Sequence, residues 1–162
     1  MKTLSEIFKH TLKDIYYAET ALTKALPKMA AAAMNADLKA AFTHHLEETR
    51  GQIKMLDKVF ASVGETPAGE KCDAIEGLIK EAEGLMKDAT GVALDAALIG
   101  AAQAVEHYEI ARYGTLREWA KELGLAEAHD LLSQILDQEK AANATLTGLA
   151  VKKVNMARAK AA

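Results

Sequence analysis

Apolar residues recur every three to four positions through most of this chain, and nowhere do they alternate as a strand requires. A first run, capped by Ser5 or Thr3 with Glu6 near its positive end, carries Phe8, Leu12, Ile15, Leu22 and Leu26 on one stripe and reaches about Met34. Pro27 lies inside it and predicts a kink or local break near Thr23. Asn35-Ala36-Asp37 turns the chain, and Asp37 starts a second helix running to about Val63. Gly64-Glu65-Thr66-Pro67-Ala68-Gly69 is the clearest loop. A short amphipathic helix follows, about Asp73 to Lys87, and Thr90-Gly91 ends it. A third long helix spans about Val92 to Leu123, where Gly124 stops it as a C′ glycine. The last helix occupies about Ala126 to Val154.

Short connections pair the four long helices into two antiparallel hairpins. The link between the second and third is long and carries the short helix. The expectation is therefore all-α: a ferritin-like antiparallel four-helix bundle with a fifth short helix in the crossover between helices two and three. Residues 1–155 form one domain, and 156–162 a frayed tail.

Composition agrees with this and narrows the partners. The 162 residues are enough for one core. Half are apolar, only 5% aromatic, with two prolines, as a helix bundle rich in Ala, Leu, Glu and Lys should be. A net charge of −3 and a pI near 6.0 offer no basic surface to nucleic acid. Lys152, Lys153, Arg158 and Lys160 make the C-terminal end locally positive, a solvated feature. Cys72 is the single cysteine, which excludes an intramolecular disulfide and suits a reducing cytosol. No signal-peptide core or membrane-length apolar run is present, so a cytoplasmic location is expected.

The chemistry sits on the apolar stripes. At about 100° per residue, Glu19 falls in line with Leu12, Ile15 and Leu22; Glu109 with Leu98, Val105 and Leu116; Glu139 with Leu132, Ile135 and Leu146. A bare buried carboxylate is heavily penalised, so three on different helices call for a shared cation. The hairpins also resemble copies. Glu48 follows Glu19 by 29 residues, and Glu139 follows Glu109 by 30. Gln52 and Asn143 each stand four residues beyond their glutamate. Glu106 lies one turn before Glu109, and two acids so placed repel unless a cation lies between them. A buried Glu109–Arg112 ion pair is the competing reading. His45 and His107 are candidate ligands or ligand-orienting groups, whereas His44 is assigned to the surface. Tyr16, Tyr17, Tyr108 and Tyr113 flank the acids, with core packing and a hydroxyl bonded to a carboxylate as their ordinary role.

The segment Asp95 to Leu116, with Glu106-His107-Tyr108-Glu109 at its centre, resembles the YciE/YciF family of ferritin-like, stress-associated bacterial proteins. So do His45-Leu46-Glu47-Glu48-Thr49-Arg50-Gly51-Gln52, Lys71 to Ile79, and Asp14-Ile15-Tyr16-Tyr17-Ala18-Glu19. The resemblance implies a cytoplasmic five-helix homodimer related to rubrerythrin-type and ferritin-type di-iron proteins. One departure matters. Ferritin-like sites commonly use Glu-x-x-His, but Gly51 and Ala142 occupy the third positions after Glu48 and Glu139. Either the histidines are missing or His45 replaces one from a turn earlier, with Gln52 and Asn143 as neutral oxygens. Such a set suits iron or manganese better than zinc or copper. The expected activity is ferroxidase-like: iron(II) held by Glu19, Glu48, Glu106, Glu109 and Glu139 and oxidised by dioxygen or peroxide. The alternative is a non-catalytic, stress-induced structural or interaction protein with a structural or vestigial metal site.

Overall fold

The computed structural model describes residues 1–155. The tail assigned to 156–162, with Arg158 and Lys160, lies outside them. Five α-helices follow in order: α1 Leu4–Ala32, α2 Ala36–Ser62, α3 Asp73–Asp88, α4 Gly91–Glu122 and α5 Ala126–Leu149, and no strand occurs among the described residues.

Local chemistry explains where each helix begins and ends. Thr3 caps α1 in a capping box, its hydroxyl accepting from Glu6 N while the Glu6 carboxylate accepts from Thr3 N. Asn35 Oδ1 caps α2 by accepting from Asp37 N and Leu38 N at 2.9 and 3.1 Å. Gly124 takes the left-handed φ of 70° that ends α4. Pro27 does not break α1 as its position predicted; the helix runs on to Ala32. The ring lies on the exposed face, where water can hydrate the Thr23 carbonyl it leaves unbonded.

The last helix also departs from expectation. It is α-helical only to Leu149, and Ala150–Val154 form a π-helical turn. The wider turn moves the inward register one residue on, so that Val154 packs at 3% exposure.

Side-chain pairings show the direction of the helices. Tyr16 donates to Asp57 at 3.1 Å and sets its ring edge-on to Phe60, while Lys9, earlier in α1, reaches Glu65 past the end of α2. Thus α1 and α2 are antiparallel. In the other hairpin Gln103 Nε2 donates to Asn143 Oδ1 at 3.1 Å, and Leu125 N closes the turn onto Ala120 O. Contacts of α2 with α5 and of α1 with α4 close the four long helices into a ring, and α3 lies against α4 and α1. The crossover before α3 is fastened to α1 through Glu70 N and Lys13 O at 3.2 Å. Gly69 there passes so close to Tyr17 that a Cβ would stand 3.1 Å from its backbone. Phe8, Leu12, Phe42, Leu56, Leu98, Leu116, Leu132 and their neighbours form one apolar core. No helix among the described residues is long and apolar enough to cross a membrane.

Candidate metal centre

Halfway along this core the apolar layers give way to acids. Glu19, Glu109 and Glu139 are each 0% exposed and Glu106 is 3%. They project inward for the reason the stripes implied: each holds an inward position of its helix, with buried apolar or aromatic residues on the adjoining turns. His45 joins them from α2. Its Nε2 lies 3.3 Å from Glu106 Oε1 and 3.9 Å from Glu139 Oε2. One ligand atom each from His45, Glu106, Glu109 and Glu139 falls within a 4.8 Å group. Donors on opposite sides of a hard cation, each roughly 2.1 Å from it, are roughly 4 Å apart, so the group is close to coordination size.

The polar atoms left over make the case more sharply. Glu19 Oε2, Glu106 Oε2 and both oxygens of Glu109 and Glu139 are buried without a hydrogen-bond partner, as are His45 Nδ1, Thr49 Oγ1 and Gln52 Oε1. Among the described residues these are the buried side-chain polar atoms left unsatisfied, and those of His45, Glu106, Glu109 and Glu139 belong to one cluster. Native proteins rarely leave such groups unpaired. Here oxygens converge, no arginine or lysine among the described residues reaches them, and two divalent cations would balance four carboxylates. The carboxylate-rich donor set fits a hard divalent cation.

Charge repulsion and burial act together on these acids. Burial pushes Glu19 up to about 8, with the charge of Glu139 adding to it and the Tyr113 hydroxyl pulling back. Burial also lifts Glu106 to about 8. Glu109 and Glu139 are raised well above the usual carboxylate range, first by burial and then by their acidic neighbours. Burial alone would lower His45, but Glu48, Glu139 and Glu19 outweigh it and favour imidazolium. Protons therefore discharge the cluster whenever a cation does not.

The remaining candidates are placed less centrally. Glu48 keeps 25% side-chain exposure, 3.3 Å from His44 Nδ1 and 3.5 Å from His45 Nδ1. Its carboxyl is held below the usual range, mainly by His45. Gln52 is fully buried but gives its amide to Gln138 at 3.2 Å. Asn143 stands apart from the acids, its oxygen taken by Gln103. His107 is exposed, with Nδ1 on its own helix at Gln103 O, so it faces away from the site. The Glu109–Arg112 pair does not form: Arg112 covers the Tyr108 ring and lies 3.9 Å from Asp14. All four tyrosines bond a carboxylate, but only Tyr113 bonds one of the clustered acids, Glu19. Thr49 and Gln138 were not anticipated. Thr49 follows His45 by one helical turn, a signal the sequence did contain.

Comparison with known proteins places the chain in a family. A family model described as a domain of unknown function, DUF892, matches residues 3–159. The chain belongs to this family. It is 48% identical over 157 residues to protein YciF of Escherichia coli (strain K12), covering 96% of this chain and 95% of that one. The crystal structure of that protein, described as a stress protein, superposes with a TM-score of 0.92 over 96% of this chain and 99% of the other. YcfI from Rhodopseudomonas palustris is 53% identical, with a TM-score of 0.87 over 90% of this chain and 94% of that one. In this chain the five-helix architecture shared with those structures carries the acid cluster at the centre of its core.

Proposed function

We propose that this protein is a ferritin-like di-metal carboxylate protein that oxidises iron(II) with dioxygen or peroxide in stress defence. One observation carries the reading: the unsatisfied buried carboxylate oxygens of Glu106, Glu109 and Glu139 gather beside His45, where only cations or protons can neutralise them. Glu19, Glu106, Glu109 and Glu139 with His45 would hold two ferrous ions about 3.5–4 Å apart, the usual spacing of two-metal sites. Glu48 would close the exposed edge. Each ferrous ion gives up one electron, and a site rich in carboxylates favours the ferric product. Tyr113, kept protonated by burial and by Glu19, holds the Glu19 carboxylate in place through its hydroxyl. Manganese with peroxide is a variant on the same ligands. We further propose that the protein works in the cytoplasm as a homodimer.

The test is direct. Aerobically purified protein should carry iron or manganese, and anomalous scattering at both edges should show two peaks among these glutamates. Ferric product should form faster with protein than with free iron. Metal bound at full occupancy without oxidation would move the reading to a structural site. Metal scattered only over the surface would remove it.

A further inference from the structure

Between α2 and α5 the bundle is not filled. A cavity of about 530 Å³ lies there, within the range of small-molecule sites. It exists because both walls carry methyl-sized side chains, Ala40 and Ala41 on α2 and Ala141 and Ala142 on α5. Leu26, Phe42, Leu146 and Leu149 line its apolar part. Its polar end belongs to the acid cluster. His45 and Glu106 line the cavity while only 7% and 3% exposed, and His45 Nδ1 and Glu106 Oε2 are without hydrogen-bond partners. Ala142 stands where a Glu-x-x-His pattern would place a histidine. A ligand position has become an opening toward the ligands that remain.

Dioxygen and hydrogen peroxide need no apolar chamber of this size. A molecule with an apolar body and one small polar head matches both ends of it. We propose that the cavity seats an organic hydroperoxide, its alkyl or aryl body against Leu26, Phe42 and Leu146 and its O–O group toward His45 and Glu106. The inference rests on the ferroxidase reading and names its oxidant. The step balances. The hydroperoxide takes one electron from each of two ferrous ions and two protons from solvent through the open side of the cavity. The O–O bond breaks, the carbon-bound oxygen leaves as an alcohol, the terminal oxygen leaves as water, and two ferric ions remain.

Two measurements on the full-length protein test this. The first uses metal-free protein and 2-phenyl-2-propanol, the alcohol formed from cumene hydroperoxide, followed by amide NMR shifts. Shifts should concentrate in α2 and α5 around Ala41 and Thr145. They should be lost in Ala41→Phe and in Thr145→Phe, which place a ring in the chamber from two different helices. Neither position is fully buried, so at least one variant should fold. The second uses ferrous-loaded protein and stopped-flow detection of ferric product with cumene hydroperoxide or hydrogen peroxide. Each variant should raise KM for cumene hydroperoxide about tenfold relative to that for hydrogen peroxide, as loss of an apolar subsite does. Absence of alcohol binding, or equal effects on both oxidants, overturns the proposal. Ferric product with hydrogen peroxide but none with cumene hydroperoxide overturns it and leaves the ferroxidase reading standing. No ferric product with either oxidant overturns both.

Discussion

Glu48 on α2 and Glu139 on α5 hold matching places, 29 residues after Glu19 and 30 after Glu109, and the two hairpins treat them differently. Glu139 is fully buried, neither oxygen has a partner, and burial raises its carboxyl well above the usual range. Glu48 stays a quarter exposed beside His44 and His45, and its carboxyl is held down, chiefly by His45. The same residue type at the same height thus becomes a proton trap in one hairpin and an ordinary ion-paired acid in the other. Spacing set the height. The histidines three and four residues before Glu48 decided the rest, since α5 has Ile135 and Leu136 at the corresponding places.

The contrast should break hardest at Glu139. Glu139→Gln keeps the shape and removes a charge the cations need, so ferrous oxidation and the metal-dependent rise in Tm should both disappear. The metal-free variant should remain folded and gain on the order of 1 kcal/mol near pH 8, because one of several repelling buried acids is gone. Calorimetry with and without ferrous iron checks both halves, and full activity in this variant would remove the central claim.

The pH dependence of the metal-free protein tests the cluster as a whole. Glu19 and Glu106 titrate near 8 in the fold instead of near 4.5. The folded state therefore binds their protons more tightly than the unfolded chain does. That stabilisation is complete below about 4.5 and drains away as pH rises through about 8. His45, also raised, acts in the same direction, whereas Glu48, Glu6, Glu65, Glu83 and Glu118, all held low, oppose them at the acid end. Tm should fall steadily from pH 5 to pH 8. A Tm that climbs toward pH 8 would mean that cations of the protein itself pair with these acids.

The turns of the two hairpins differ as well. The α4–α5 turn is closed by its own backbone around Gly124, whereas the α1–α2 turn borrows Asp95 from α4, which accepts from Met34 N and Asn35 N at 2.8 and 2.9 Å. Asp95→Ala should cost about 2 kcal/mol in urea unfolding. A loss below about 0.5 kcal/mol would show that water replaces the carboxylate without penalty.

Glu48→Gln should weaken ferrous binding roughly tenfold, the scale of lost ligand-orienting partners, while leaving measurable oxidation. Glu47→Gln, exposed beside Arg50, should change nothing beyond about 0.5 kcal/mol. Equal losses at residues 47, 48 and 139 would mean that a different face of α2 and α5 points inward.

Helical periodicity carried a large part of this architecture. Leu12, Ile15 and Leu22 fixed the inward stripe on which Glu19 lies, the same logic located Glu109 and Glu139, and Glu106 followed from standing one turn before Glu109. Cap signals did likewise for Thr3, one of two candidates with Ser5, and for Gly124, whose hydrogen bonds and φ are local, whereas Asn35 was legible only as part of a turn. Periodicity misplaced other residues. It could not tell that Pro27 would face solvent and leave α1 whole, or that Asn143 would be taken by Gln103 and His107 turned to its own helix.

What the sequence determined by itself is therefore what depends on near neighbours: helix boundaries, inward faces, and the height of each acid along its helix. What only the tertiary structure decided is which donors meet across helices. The approach of His45 Nε2 to Glu106, the Tyr113–Glu19 bond, the Gln52–Gln138 pairing and the cavity beside Ala142 all depend on how four helices rotate and pack. The physical reason is range. A helix phases its side chains through bonds three and four residues apart, while the distance between atoms on different helices is set by the volume of everything packed between them.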